Sequence, residues 1–179
     1  MSKVVWHITM SVDGYIAGPG DAMDWMGDYE LESPVGVQVM QGTGAILAGR
    51  RWHDLAIERW SGRQGIYGGH WKGPVFVITH EPPAEPPDPE ITFLSDGIEQ
   101  AVSTAREAAG GRDVGILGAR TAQQTVAAGL LDEVVLHVVP LLLGDGIGLF
   151  GPGLERVALE RLYVGQSADS TDLRYRVLR

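Results

Sequence analysis

The sequence predicts an α/β fold in which helices flank a mixed, mostly parallel sheet and an antiparallel hairpin ends the chain. Short apolar runs bounded by glycine recur along the chain, which is typical of strands buried on both faces. A strand, a helix and a second strand fill residues 114–140 with almost no spare residues, so we expect a parallel crossover there. Residues 159–164 and 173–178 flank a polar turn, and the second segment alternates apolar and polar residues as half-buried antiparallel strands do.

Length, charge and cysteine content limit the class of protein. We expect one domain over residues 1–179, since this length suits a single core. A net charge of -9 argues against general binding of nucleic acid or anionic membranes, which needs a basic surface. The absence of cysteine excludes disulfides, thiolate nucleophiles and cysteine-ligated metals. The N-terminal segment has neither a signal-peptide core nor a membrane span, so we expect a cytoplasmic protein.

The first half of the chain alternates strand, turn and helix signals. Residues 4–10 are rich in β-branched residues and predict a strand, and Asp13-Gly14 predicts the turn after it. Two glycines flank a proline in residues 18–21, which predicts a tight turn or a mobile flap. Ser33-Pro34 is typical of a helix start. Residues 45–48 predict a short buried strand.

The second half continues the alternation. The glycine-rich residues 61–73 predict a long loop or an irregular lid. Residues 75–79 form an apolar strand, and the prolines of residues 81–90 exclude a helix or central strand after it. Residues 96–99 resemble a capping box at the start of a helix whose apolar face continues to Ala109.

Three predicted strand ends carry residues suited to phosphate. They are Gly49-Arg50-Arg51, Thr79-His80 and Gly118-Ala119-Arg120-Thr121. Arginine donates paired hydrogen bonds to phosphate, and the free N–H groups at a helix start attract anions. Since ligands of open α/β sheets bind outside the carboxyl ends of the strands, together these segments predict a dinucleotide site. Two alternatives stay open: the arginines are surface charges, and Gly118 only allows close helix packing.

Acidic residues near aromatic ones are candidate proton donors. Asp24, Asp28 and Glu30 lie close to Trp25, and a carboxyl group beside a large apolar ring can have a raised pKa. The alternative is that these carboxylates are simply solvated. The five histidines are scattered without ligand spacing, so we expect no metal site.

Five segments resemble a known family. They are residues 10–17, 46–51, 118–120, 129–133 and 140–146. In order and spacing they are similar to the dihydrofolate reductase-like superfamily. The resemblance is greatest to the reductase (C-terminal) domain of the bacterial riboflavin-biosynthesis deaminase/reductase, here in a stand-alone form. It implies the three-layer fold of that superfamily, with NADPH lying across the strand ends.

The resemblance also implies which residues contact NADPH. The implied positions are Thr9, Ile16, Ala17, Gly49, Arg50, Arg51, Trp52, Thr79, His80, Gly118, Ala119, Arg120 and Thr121. The first three would contact the nicotinamide, the next four the adenosine phosphates, Thr79 and His80 the 2′-phosphate, and the last four the pyrophosphate. The sequence departs from the riboflavin enzymes at Ile116, where those enzymes usually carry an acidic substrate-binding residue.

The implied catalytic residues are Asp13, Trp25 and Glu30. Residues 21–25 resemble the mobile loop over the nicotinamide, which puts Trp25 at the junction of cofactor and substrate. Glu30 lies near the position of the pterin-binding acid of folate reductases, with Asp28 as a competitor. Asp13, Asp28, Glu30 or an ordered water are the alternatives for the proton donor.

The expected function is an NADPH-dependent reductase that transfers a hydride to a C=N or C=O bond of a small, pteridine- or pyrimidine-like substrate. One alternative is a catalytically inactive nucleotide- or ligand-binding protein on the same fold. Another is a true dihydrofolate reductase, which requires Glu30 or Asp28 to be buried. We expect a homodimer through the C-terminal strands, with residues 173–178 as the edge that a symmetric partner covers, and no nucleic-acid or membrane partner.

Overall fold

A computed structural model describes residues 2–60, 62–86, 88–151 and 154–179. In chain order the strands are β1 (Val4–Ser11), β2 (Tyr15–Ala17), β3 (Thr43–Gly49), β4 (Val75–Ile78), β5 (Ile91–Leu94), β6 (Asp113–Leu117), β7 (Glu133–Val139), β8 (Ile147–Gly148), β9 (Leu159–Gln166) and β10 (Thr171–Val177). The α-helices are α1 (Pro34–Gly42), α2 (Arg50–Trp60), α3 (Ile98–Ala108) and α4 (Ala119–Ala127). No helix in the described part of the chain is long and apolar enough to cross a membrane.

Eight of the strands form one sheet in the order β5-β4-β3-β6-β1-β7-β10-β9. Every pairing is parallel except those of β10, which runs antiparallel to both of its neighbours. The predicted mixed sheet with an antiparallel C-terminal hairpin is therefore confirmed. The crossover from β6 through α4 to β7 is parallel as expected, although β1 lies between the two strands. Because the parallel strands share one direction, their carboxyl ends lie at one edge of the sheet.

Helices cover both faces of the sheet and make three layers. On one face, Trp6 and Ile116 belong to an apolar cluster that includes Val102 of α3 and Ala122 of α4. On the other face, Val5 packs with residues of α1, and further along the sheet a third cluster lies against α2. Each fully buried aliphatic side chain contributes about 1.5 to 3 kcal/mol, so these clusters hold the layers together.

The structure changes two local predictions. Gly97, with φ +87°, is itself the N-cap of α3 and no side chain caps that helix, so the expected capping box is wrong. The glycine-rich segment, predicted to be a long loop or an irregular lid, contains 3-10 turns over residues 62–69 with non-helical backbone at residues 66–68, and Ile66 is buried. Trp71 is also buried, and its Nε1 donates to the Thr43 carbonyl at 3.0 Å. Positions 61 and 87 of the predicted loop and proline connection lie outside the described residues.

Asp13 joins the loops that follow β1 and β7. Its carboxylate accepts a hydrogen bond from Ser11 Oγ at 2.5 Å and from the backbone N–H groups of Leu143 and Gly144 at 3.1 and 2.7 Å. The hydrogen bond from Ser11 is the main reason that the pKa of Asp13 lies below its usual value of 3.8. An ionised Asp13 therefore fixes one loop to the other beside the carboxyl ends of the strands.

We expect Asp13→Asn to lower the free energy of unfolding at pH 7, because the neutral amide replaces an anion that accepts three hydrogen bonds. The pKa of Asp13 is lower in the folded than in the unfolded chain, so its stabilisation is complete above about pH 5 and is lost as pH falls through the folded value. Urea unfolding of both proteins from pH 7 to pH 2.5 measures this difference. The exposed Asp96→Asn is the control, and a difference that stays constant down to pH 2.5 contradicts the assignment.

Candidate active site at the carboxyl ends of the strands

Two of the predicted phosphate segments meet at the carboxyl edge of the sheet. β3 ends at Gly49, and Gly118 follows the neighbouring strand β6. A Cβ atom on Gly49 would lie only 2.7 Å from Thr121 Oγ1, and one on Gly118 would lie 3.5 Å from Trp52 Cβ. Gly118 has φ +93°, which side chains rarely allow. Glycine at these positions therefore lets the two segments approach each other closely.

Two helices begin at this contact. α2 begins at Arg50 directly after β3, and α4 begins at Ala119 directly after Gly118. The N-cap residue of α4 provides no side-chain hydrogen bond to the first turn. The first N–H groups of a helix carry a partial positive charge and lack partners within the helix. Adjacent helix starts at one edge give this part of the molecule the electrostatics of an anion site.

The arginines at this edge have different partners. Arg50 Nε donates to Asp54 at 2.7 Å, and Arg50 NH1 donates to the Glu81 carbonyl at 3.3 Å, which connects the segments after β3 and β4. Arg51 instead makes a bidentate pair with Asp21 at 2.9 and 2.6 Å. Hydrogen bonding to Asp21 raises the pKa of Arg51. Arg120, exposed in the first turn of α4, has no ion-pair partner among the described residues.

The predicted flap is fastened to α2 through its arginines. Besides the pair of Arg51 with Asp21, Arg59 donates to the carbonyls of Asp21 and Gly20. Trp25 is 8% exposed in a 3-10 turn, and its Nε1 donates to the Ala22 carbonyl at 3.2 Å. A pocket of about 460 Å³ lies behind the flap, lined by Gly20, Ala22, Met23, Asp24, Arg59 and Trp60. The contacts of Arg51 and Trp25 thus position the flap.

The expected nicotinamide positions lie beside an open part of the sheet. Residues 4–6 of β1 are buried, whereas residues 7–10 are only half-buried. Residues 4–6 pair with β6, whereas residues 7–11 pair only with β7; the side of residues 7–11 that faces away from β7 has no strand partner among the described residues, and we call the space beside it the cleft. Thr9 borders this cleft, and Ile16 and Ala17 are buried in the short strand β2 that follows.

The acids that were predicted to donate a proton are not shielded from solvent. Asp28 and Glu30 are both exposed, and the Glu30 backbone N–H donates to Asp169 Oδ2 at 2.7 Å. The burial that a true dihydrofolate reductase requires of one of these carboxylates is therefore missing. Asp13 is exposed and engaged in loop contacts. The catalytic roles of Asp13, Trp25 and Glu30 stay predictions, and these contacts do not favour proton donation by either acid.

The fold assembles a polar chain that the sequence analysis missed. His7 Nε2 and His137 Nε2 are 2.5 Å apart, and His137 Nδ1 lies 2.7 Å from Asp172 Oδ1. His7 Nδ1 lies 3.1 Å from the hydroxyl of Tyr67. Asp172 also accepts hydrogen bonds from the hydroxyl groups of Ser167 and Ser170, at 2.5 and 2.9 Å. Four residues from β1, β7, β10 and a 3-10 turn thus form one connected chain.

The carboxylate at the end of this chain fixes the direction of its hydrogen bonds. Burial alone would raise the pKa of Asp172, but hydrogen bonds from serine and His137 outweigh burial and lower it. We therefore assign Nδ1–H of His137 as the donor to Asp172 and His137 Nε2 as the acceptor from His7. His7 Nδ1 then accepts from Tyr67. Burial lowers the pKa of His7 to about 3 and raises that of Tyr67 to about 12, so both are neutral at pH 7.

Known proteins with similar sequences and folds support this architecture. The sequence profile of the RibD C-terminal domain matches residues 2–171. The Bacillus subtilis (strain 168) protein YwjB is 26% identical over 159 residues, which are 83% of this chain and 82% of that protein. A Shewanella sp. PV-4 protein described as a riboflavin biosynthesis protein has 23% identity and a TM-score of 0.82, with complete coverage of both chains.

Two further structures have lower similarity. The Thermotoga maritima diaminohydroxyphosphoribosylaminopyrimidine deaminase/5-amino-6-(5-phosphoribosylamino)uracil reductase has 17% identity and a TM-score of 0.67 over 99% of this chain and 57% of that one. The Saccharomyces cerevisiae riboflavin biosynthesis reductase Rib7 has 13% identity and a TM-score of 0.66 over 99% and 90% of the respective chains. These likenesses confirm the predicted fold. With its profile match extending from the start of the chain into β10, the protein belongs to the RibD C-terminal domain family.

Proposed function

We propose that the protein is an NADPH-dependent reductase that transfers a hydride to a C=N or C=O bond of a small, pyrimidine-like heterocycle. The contact of Gly49 with Thr121 carries this proposal, because it joins two helix starts and their arginines at one edge of the sheet. Family membership and the reductases that share the fold support the same activity. The exposure of Asp28 and Glu30 argues against folate as the substrate.

The chain supplies suitable groups for each part of the cofactor. The first turn of α4 and Arg120 would bind the pyrophosphate. Of the residues expected at the adenosine phosphates, Arg50 reaches the segment after β4 through the Glu81 carbonyl, so it would bind the 2′-phosphate together with His80. Thr9 and the backbone of β2 would position the nicotinamide over the cleft. When bound, NADPH supplies the two electrons and the hydrogen of the hydride. The protein orients the reactants, and its flap excludes water.

We expect the arginines to have separable effects on cofactor binding. Arg120→Ala should weaken NADPH and NADH alike, by about 10- to 100-fold, because a charged hydrogen bond to phosphate contributes about 1.5 to 3 kcal/mol. Arg50→Ala should weaken NADPH but not NADH, because only NADPH carries the 2′-phosphate. Titrations followed by tryptophan fluorescence give the four dissociation constants.

Lys72→Ala is the matched control for the loss of one positive charge. Lys72 is exposed just before β4, at the amino edge of the sheet and opposite the candidate site. This variant should bind both nucleotides as the wild type does. Absence of NADPH binding by the wild-type protein would rule out the proposed cofactor.

A binding protein without turnover is the second candidate function. The observation that favours it is that all three acids predicted to donate the proton, Asp13, Asp28 and Glu30, are exposed to solvent. Oxidation of NADPH in the presence of 5-amino-6-(5-phosphoribosylamino)uracil and related pyrimidines distinguishes the two. Tight NADPH binding without oxidation by any of these compounds favours the binding protein.

We also propose that the protein is a homodimer through β9. The expected edge at residues 173–178 is wrong, because β10 pairs with β7 on one side and with β9 on the other. The edge of the main sheet is β9, and one side of its backbone has no strand partner in the described part of the chain. Almost all of its side chains are exposed, including Leu162, Tyr163 and the 53% exposed Val164. An exposed apolar edge strand invites pairing with an identical copy around a two-fold axis.

We expect Val164→Lys to convert the dimer to a monomer, because it puts two charges into a symmetric apolar contact. Sedimentation velocity should give twice the mass of the chain for the wild type and the mass of one chain for the variant. Val12→Lys is the control, since Val12 is also exposed, at 59%, but lies in the turn after β1. A monomeric wild type contradicts the proposal.

A further inference from the structure

We propose that Tyr67, His7, His137 and Asp172 form a proton relay that delivers the proton required by the reduction, at its Tyr67–His7 end. This inference rests on the proposed reductase function and gives it the proton source that the predicted acids do not provide. Tyr67 and His7 form the delivering end, whereas His137 and Asp172 act through them as positioning residues.

The relay runs from a buried anion toward the cleft. Asp172 is 0% exposed and His137 is 4% exposed, whereas His7 and Tyr67 are both half-buried. Each neighbouring pair is within hydrogen-bond distance, so a proton can pass along the chain without any side chain leaving its place. The exposure of the members therefore gives the chain one inner and one outer end.

The outer end lies next to the expected hydride donor. Thr9, the implied nicotinamide contact on β1, is the register partner of His137 on β7. His7 lies two residues before Thr9 and on the same face, about 7 Å along the strand. The relay thus borders the same open part of β1 that would receive the nicotinamide and the substrate.

One added proton reverses every hydrogen bond between Tyr67 and His137. In the neutral chain Tyr67 donates to His7 Nδ1, and His7 Nε2–H donates to His137. With one more proton, His137 is an imidazolium beside ionised Asp172, and its Nε2–H donates to His7 Nε2. His7 then carries its proton on Nδ1 and donates to the Tyr67 oxygen. The Tyr67 hydroxyl hydrogen is released from His7, and delivery requires it to turn from the neighbouring Thr43 side chain to a substrate atom.

Delivery of the proton returns the chain to its neutral state. As the substrate carbon accepts the hydride, the two electrons of its C=N or C=O π bond move to nitrogen or oxygen. That atom takes the Tyr67 hydroxyl proton, the Tyr67 oxygen takes the His7 Nδ1 proton, and His7 Nε2 takes the proton of His137 Nε2. One proton leaves the relay, Asp172 stays ionised, and one proton from solvent reloads His137.

Few other charges face the histidine pair. Arg174 of β10 contributes to lowering the pKa of His7, less than burial and His137 do, and Arg174 is itself paired with Glu133 at 2.6 Å. On α1 the nearest groups are Gly36, whose added Cβ would lie 3.4 Å from His137 Nε2, and the hydroxyl of Ser33. Asp172 is therefore the main counter-charge for a proton held on the pair.

The test is to label the protein with ¹⁵N-histidine and to record the NMR signals of the ring nitrogens as a function of pH. We expect His7 to change from the Nε2–H to the Nδ1–H tautomer, without becoming charged, at the same midpoint at which His137 becomes an imidazolium. Tyr67→Phe should abolish the tautomer change of His7, because phenylalanine cannot accept the Nδ1–H. Asp172→Asn should change the ¹⁵N chemical shift of His137 Nδ1, because its hydrogen bond then goes to a neutral amide instead of a carboxylate.

His53→Gln is the control, because His53 is also buried beside a carboxylate, Asp54, but lies on α2 outside the relay. It should leave the tautomer change intact. If His7 keeps one tautomer between pH 4 and 9, or the two rings titrate independently, the relay is ruled out. That result leaves the reductase proposal standing, since the nucleotide titrations test it separately.

A kinetic measurement separates delivery of the proton from structural support. With saturating NADPH and 5-amino-6-(5-phosphoribosylamino)uracil as the probe, Tyr67→Phe should lower kcat by about 100-fold, the usual contribution of a general acid. Its KM for NADPH should stay within about twofold of the wild type. An unchanged kcat and pH profile in Tyr67→Phe contradicts the proposal, and if the probe is not turned over, the tautomer measurement decides alone.

Discussion

The parallel pairing of β1 with β6 and β7 is the constraint on which the rest of the candidate site depends. Each ladder fixes which residues are level with one another, and so aligns the carboxyl ends of the strands at one edge. The parallel pairing of β3 with β6 likewise brings the segments at Gly49 and Gly118 into contact. The register of β1 with β7 puts Thr9 level with His137 and creates the polar chain below the cleft.

The arginines near that edge have different partners and therefore different functions. Arg51 and Arg59 hold the flap, whereas Arg50 bridges two strand-end loops through Asp54 and the Glu81 carbonyl. A guanidinium group already paired with a carboxylate must exchange that partner to bind phosphate, which lowers the net gain. Arg120 at the start of α4 has no carboxylate partner among the described residues, so it would bind phosphate without breaking an ion pair.

The buried polar chain has a cost that apolar residues at the same positions would not have. Buried imidazoles and a carboxylate lose hydration, and they are tolerated only when each polar atom has a partner. In this fold Asp172 accepts from His137 and two serines, and both nitrogens of His7 are occupied. A satisfied chain with one half-buried end is a stable feature of the fold that also connects its interior with the cleft.

The fold class and most elements could be predicted from the amino-acid sequence, because apolar periodicity, glycine turns and helix starts are local signals. It also indicated Gly49-Arg50-Arg51 and Gly118-Ala119-Arg120-Thr121 as one site, since the ends of parallel strands must share an edge. It did not reveal that Arg51 pairs with Asp21, that Glu30 is exposed, or that His7 meets His137. Those facts depend on strand order, on register and on the path of the loops, because the residues that pair are 30 to 130 positions apart in the sequence. Only the tertiary structure decides them, because no local pattern records which distant side chains become neighbours.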